Sequence, residues 1–157
     1  MNSYPANINP AAVHLLNDFS SNLTNLSVLE LGCNFGALGN YFCKNNTNKQ
    51  IDWYGIDYNK HAVEIAKSRL NNAICFDLNK ISLNNLRTIQ ANFFPDIILM
   101  IDTMEHLINP ERIISMLLTI FPKAPLLIIL PNISCLTIID QLSKCEFNYT
   151  KHGILDF

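Results

Sequence analysis

Short apolar runs, each stopped by a polar or small residue, recur along the chain: Val28 to Leu31, Trp53 to Ile56, Ala73 to Phe76, Asp96 to Ile101 and Leu126 to Leu130. Runs this short, bounded by turn-forming residues, read as buried strands rather than helices. The segments between them carry helical spacing. Lys60 to Leu70 places Ala62, Ile65, Ala66 and Arg69 on one side and Glu64 to Ser68 on the wet side. Ala37 to Lys44 is helix-compatible and Asn45 to Gln50 is a polar loop. Ser82 caps a short helix to Gln90, Pro110 opens a helix to about Ile120, and the polar lead-in holds a short helix from Pro10 to Asp18. Strands alternating with helices, and apolar without interruption, suit a parallel sheet covered on both faces. The predicted architecture is α/β, doubly wound.

Composition narrows the function. With 157 residues, 49% of them hydrophobic, the chain can bury one core. We therefore expect a single domain over residues 1–157, with a lead-in over 1–25 and the core over 26–157. A net charge of -2 and no basic run give no general attraction to nucleic acid or anionic membranes. The first residues lack a positive start and an apolar run, and Leu126 to Leu130 is far below spanning length, so a soluble cytoplasmic protein is expected. Cys33, Cys43, Cys75, Cys135 and Cys145 include no C-x-x-C pair and no histidine at zinc-finger spacing. They read as buried, reduced thiols, and no metal site is expected. His14 and His61 read as surface residues.

In a doubly wound sheet the ligand lies beyond the carboxyl ends of the strands, near the point where strand order reverses. The strand tips here are small or polar: Glu30-Leu31-Gly32-Cys33-Asn34-Phe35-Gly36, then Asp57, then Asp77, then Asp102-Thr103-Met104-Glu105-His106. Gly32 and Gly36 allow close backbone approach. Asp57, about twenty residues beyond Gly36, is placed to accept hydrogen bonds from a ribose diol. A nucleoside ligand follows. A strand-ending aspartate taken alone also serves as a helix cap or turn former, but three at successive tips point to a shared site. The nicotinamide fingerprint requires glycine at positions 32, 34 and 37, where the chain has Gly32, Asn34 and Ala37, which disfavours an oxidoreductase.

VLELGCNFGALG resembles the first motif of class I, Rossmann-like S-adenosylmethionine-dependent methyltransferases. WYGIDYNKHAVEIAKSRL, AICFDLNK, PDIILMIDTMEHLINPER and PLLIILPN follow in the order of that family. The resemblance implies strand order 3-2-1-4-5 and S-adenosylmethionine as cofactor, with S-adenosylhomocysteine as product. It assigns Glu30 to steadying the loop and the methionine ammonium, and the backbone of Gly32, Cys33, Asn34 and Gly36 to lining the methionine and ribose. It also places Asp57 on the ribose hydroxyls, Tyr58 beside the adenine, Asp77 on the adenine amino group and Leu78 at the ring edge. Asp102 and Thr103 fall near the sulfonium. The family has a further glycine where Asn34 stands, and asparagine tolerates left-handed backbone. Glu105-His106 resembles the family's E-H pair. Two roles stand open for His106: proton acceptor from a hydroxyl or amine, or hydrogen-bonded loop residue.

The segment from Phe147 to Phe157 resembles part of one methyltransferase subgroup, approximately F-x-Y-x-x-x-G-I-L-D, continued there by T-H-L-R-F-F. We therefore expect a chain truncated before the family's last two strands, which leaves the fifth strand at an edge and favours homodimerisation through it or poor solubility. The subgroup leans toward a small-molecule, sugar-related methyl acceptor. The resemblance leaves a second reading, a domain that binds the cofactor without turnover, and leaves open transfer to oxygen, nitrogen or carbon.

Overall fold

The computed structural model describes residues 8–132, 134 and 136–146. Its strands β1 (Asn25–Leu31), β2 (Gln50–Asp57), β3 (Asn72–Cys75), β4 (Ile97–Ile101) and β5 (Leu126–Ile129) form one parallel sheet in the order β3-β2-β1-β4-β5. Helices α1 (Pro10–Phe19), α2 (Ala37–Asn45), α3 (Lys60–Ala66), α4 (Leu83–Gln90), α5 (Pro110–Ile120) and α6 (Leu136–Ser143) precede, connect and follow the strands. The α/β class and the strand order agree with the sequence reading.

Alternation along the strands fills both faces of the sheet. Leu26 and Val28 of β1 join one core with Leu16 of α1, Phe42 of α2 and Val63 of α3; Leu29 and Leu31 join the other with Leu86 of α4 and Leu117 of α5. β4 divides in the same way, Ile97 and Leu99 against Ile98 and Met100. The Ser82 cap and the proline-led start foreseen for the two helices beside the second core are both observed. Ser82 and Asn85 form a reciprocal capping box, and Asn109 accepts from Arg112 N with Pro110 in the first turn.

Several boundaries differ from expectation, each for a local reason. β1 and β2 start three residues before their apolar runs, because the backbone ladder continues through Asn25↔Gln50, Leu26↔Ile51 and Ser27↔Asp52 whatever the side chains. β4 starts one residue late: Asp96 spends its carboxylate on Ser27 N at 2.8 Å. α3 ends at Ala66 instead of Leu70, since Ser68 N and Arg69 N turn to the i−3 carbonyls of Ile65 and Ala66. Val63 is buried on α3, and Arg69 is exposed with its guanidinium on Phe35 O. α6 was not foreseen. Of the cysteines, Cys33 is buried and Cys43 half-buried, whereas Cys75, which ends the edge strand β3, and Cys145, just beyond α6, are exposed. Cys135 and the segment from Phe147 to Phe157 lie outside the described residues. His14 and His61 are exposed, as expected.

Trp53 organises the joint between β1 and β2. Its ring is fully buried against Phe42, and its indole Nε1 donates to Glu30 Oε2 at 2.8 Å. Burial pushes the Glu30 carboxyl up to about 8, the Trp53 bond opposes that, and the nearby Asp57 carboxylate adds to it. Gly39 of α2 packs so closely that an added Cβ would stand 2.5 Å from Leu70 Cδ2 and 2.8 Å from the indole ring.

Two outcomes follow. Gly39→Ala gains about 1 kcal/mol of helix propensity but overpacks a buried aromatic ring at a cost of about 1–3 kcal/mol. Urea unfolding should therefore show net destabilisation. Glu30 binds its proton more tightly folded than unfolded, so its contribution is fully present below pH 4.5 and disappears as pH rises toward 8. Glu30→Gln keeps an acceptor for Trp53 and carries no proton. Between pH 5 and 8 the wild type should lose stability relative to this variant, by up to about 1.4 kcal/mol per pH unit, measured by urea unfolding across that range.

Candidate functional site

β1 ends under strain that only certain residues accept. Gly32, Asn34 and Gly36 stand at φ +83°, +47° and +67°, so alternate residues are left-handed. Asn34 thus takes the conformation that glycine would otherwise supply. At Gly32 there is no room for a side chain: a Cβ would lie 2.2 Å from Thr103 Oγ1. The Thr103 hydroxyl sits 2.9 Å from Ile101 O and 3.1 Å from Leu31 O, tying the ends of β4 and β1 together.

The loop's amides face inward. Gly32 N and Cys33 N both donate to Ile56 O, at 2.8 and 3.1 Å, and Asn34 N donates to Asp57 Oδ2 at 2.8 Å. Asp57 Oδ1 accepts from Asn59 N at 2.8 Å. Asp57 is 7% exposed, yet a carboxylate has about four acceptor positions, and these two bonds leave capacity on the side facing the cleft.

At the tip of β3, Asp77 caps a short 3₁₀ turn, Leu78–Lys80, by accepting from Asn79 N at 3.0 Å. That backbone bond, aided by Lys80 at 3.3 Å, holds its carboxyl below the usual range. Asn79 Oδ1 in turn accepts from Ile108 N at 2.8 Å, linking this turn to the loop after β4. Asp102 opens that loop at φ +48°, and its Oδ2 accepts from Asn9 Nδ2 at 3.2 Å. Asn9 also caps α1, so the lead-in helix is fastened beside the tip of β4. A second 3₁₀ turn, Met104–His106, carries the exposed His106.

These tips enclose a cleft of about 660 Å³, lined by Gly32, Asn34, Asp57, Tyr58, Asp77, Leu78, Asn79, Asp102, Thr103, His106 and Leu107. That volume lies within the usual range for a small-molecule site, about 300–1,000 Å³. Nine of these lining residues had been singled out in the sequence. Glu30, Cys33 and Gly36 are not among them. Glu30 lies behind the loop under Trp53, the Cys33 thiol packs toward Gly55, and Gly36 begins α2 against Leu70. Burial, with Glu30 and Asp57 nearby, pushes the Cys33 thiol strongly upward, which keeps it neutral and unreactive.

Asn79 and Leu107 line the cleft and Asn9 borders it without having been foreseen. Asn79 stood two residues past a suspected aspartate. Asn9, before Pro10, carried only the signal of a helix cap. Among the described residues, no group of three or more His, Cys, Asp or Glu could hold a metal ion, and no helix is long and apolar enough to cross a membrane.

The cleft has acidic walls: Asp57, Asp77 and Asp102 line it, and among the described residues no lysine or arginine does. A pyrophosphate cradle instead turns backbone N–H groups toward its ligand, and here those groups serve Ile56 and Asp57. The site's chemistry favours a polar ligand carrying positive charge.

No curated protein matches the chain in sequence. Among solved structures, a plantazolicin methyltransferase in complex with a monoazolic desmethylPZN analog and SAH superposes with TM-score 0.60 at 20% identity, over 85% of this chain and 49% of that one. The magnesium protoporphyrin IX methyltransferase of Synechocystis PCC 6803, with bound SAH, gives 0.59 at 18% identity, over 86% and 60%. The [4+2]-cyclase SpnF gives 0.53 at 15% identity, over 71% and 40%. The chain thus spans less than two thirds of each neighbour, and these likenesses carry the fold alone. A family model described as "Methyltransferase domain" matches residues 29–120, more than half of the chain and every strand tip that lines the cleft. The chain belongs to the methyltransferase domain family.

Proposed function

We propose that this protein binds S-adenosylmethionine in the cleft at the tips of β1 to β4 and transfers its methyl group to a small-molecule acceptor. The observation that carries the reading is the set of three carboxylates at successive strand tips, with no lysine or arginine lining the cleft among the described residues. Solved neighbours bound to SAH support it. In this reading Asp57 accepts from the ribose hydroxyls, Asp77 from the adenine amino group, and Tyr58 and Leu78 flank the ring. Gly32 and Asn34 give the methionine portion a wall of backbone. Glu30, Cys33 and Gly36 act from behind that wall, by fixing the loop.

The cofactor supplies a methyl carbon bonded to a positively charged sulfur. Asp102 and the Thr103 hydroxyl, which line the cleft, would face the sulfonium, and the bound cofactor would supply a methyl group to the acceptor's lone pair, with the C–S electrons remaining on sulfur. Most of the rate comes from holding donor and acceptor in line. His106, exposed at the cleft rim, takes the proton that an acceptor hydroxyl or amine sheds. We place the activity in the cytoplasm. The sugar-related class of acceptor rests on the segment from Phe147 to Phe157, outside the described residues. We further propose that β5, an edge strand among the described residues with Leu130 half exposed beside it, pairs two copies of the chain.

Calorimetric titration with S-adenosylhomocysteine tests the binding reading. Wild type should bind at one site. Asp57→Ala should weaken binding about tenfold or more, the loss expected for hydrogen bonds to a charged group. His106→Ala should leave affinity within about threefold, as expected for a group whose work is proton removal. Heat with a nicotinamide dinucleotide and none with S-adenosylhomocysteine would overturn the proposal. Light scattering after size exclusion should report twice the chain mass of 17.8 kDa at high protein concentration; a clean monomer there contradicts the edge-paired dimer.

A further inference from the structure

Asn9 serves a helix with one end of its amide and the cleft with the other. Its Oδ1 caps α1 by accepting from Ala11 N at 3.1 Å and Ala12 N at 3.4 Å. The oxygen is committed there, so the group that meets Asp102 is Nδ2, a donor. Nδ2 donates to Asp102 Oδ2 at 3.2 Å, across 93 residues of sequence. Asp102 is held from a second side as well: its N–H donates to Ile129 O of β5 at 3.0 Å, and its backbone stands at φ +48°, an uncommon conformation for a residue other than glycine. Backbone and carboxylate are thus both fixed, and Asp102 lines the cleft as a negative charge with a set position.

A charge held in place matters most to a ligand whose own charge changes. The methyl donor carries a sulfonium cation, and the product left after transfer carries a neutral thioether in its place. A carboxylate oriented beforehand stabilises the cation without having to reorganise. Asp102 is exposed, so a carboxylate released by Asn9 is free to turn toward water. We infer that Asn9 is a positioning residue that, by orienting the Asp102 carboxylate, makes the cleft prefer the charged methyl donor over its neutral product. The lead-in helix thereby contributes to specificity from outside the strand tips. The inference rests on the cofactor reading above and adds a residue and a preference that the reading does not require.

Titration calorimetry of the full chain with S-adenosylmethionine and, separately, with S-adenosylhomocysteine gives the ratio of the two affinities. Asn9→Ser separates the cap from the clamp, because serine caps a helix about as well as asparagine but carries no amide donor to Asp102. The preference for S-adenosylmethionine should fall about threefold in Asn9→Ser, the scale of one hydrogen bond. It should fall about tenfold in Asp102→Asn, the scale of an interaction with a charged group. With Asp102→Asn already present, adding Asn9→Ser should leave the ratio where it is, since the charge it orients is gone. A role confined to capping α1 would weaken both ligands alike, and the ratio cancels that loss together with any loss of folded protein. An unchanged ratio in Asn9→Ser, or an equal fall in both backgrounds, overturns this inference and leaves the cofactor reading standing. A wild-type protein that binds neither ligand overturns the cofactor reading and this inference with it.

Discussion

The whole site hangs on the carboxylate of Asp57. One of its oxygens accepts from Asn34 N and so clamps the loop after β1 to the tip of β2, while the other accepts from Asn59 N and starts α3. Ile56 O reinforces the clamp by accepting from both Gly32 and Cys33. Because these bonds consume the loop's inward N–H groups, the loop offers its ligand a surface of backbone and acceptors. The amides of Gly32, Cys33 and Asn34 are thus spent within the protein and do not form an anion cradle. A nucleoside with a charged sulfur and an ammonium meets hydroxyl acceptors at one end and negative potential at the other.

The same clamp explains why burial is arranged as it is behind the cleft. Glu30 lies under the loop, close enough to Asp57 for the two charges to repel, and burial with the Asp57 carboxylate keeps it protonated up to about 8. A neutral Glu30 can hold the Trp53 indole without adding a fourth negative charge beside the three that line the cleft. Trp53, in turn, excludes any side chain at Gly39 and so sets how near α2 approaches the sheet. Core packing and site electrostatics therefore share one set of residues. Substitutions that relax the core here should also alter the loop.

Much of this arrangement was legible in the chain. Buried parallel strands are apolar on both faces, so β1 to β5 stood out as runs, and the residues that stop those runs are the ones brought to the cleft. Close backbone approach was read from Gly32 and Gly36, and tolerance of left-handed backbone from Asn34; the structure gives all three positive φ. What stayed hidden depends on partners far away in sequence. Nothing near Asn79 announces Ile108, and nothing near Asn9 announces Asp102, because those bonds exist only once the sheet order brings the β3 and β4 tips and the lead-in helix together. Strand starts were misjudged for the opposite reason: a ladder is a backbone property, and Asn25 and Gln50 pair despite polar side chains. The exposure of Cys75 likewise reflects sheet order, since β3 is an edge among the described residues and its last thiol donates to Tyr58 O. Residue type suggested burial; position decided otherwise.

A crystal structure of the chain soaked with S-adenosylhomocysteine tests the central claim most directly. The account predicts the two ribose hydroxyls within hydrogen-bonding distance of the Asp57 carboxylate, the adenine amino group on Asp77, and the loop from Gly32 to Gly36 unmoved. Density for the nucleoside elsewhere on the surface, or a ribose turned away from Asp57 within the cleft, would contradict it.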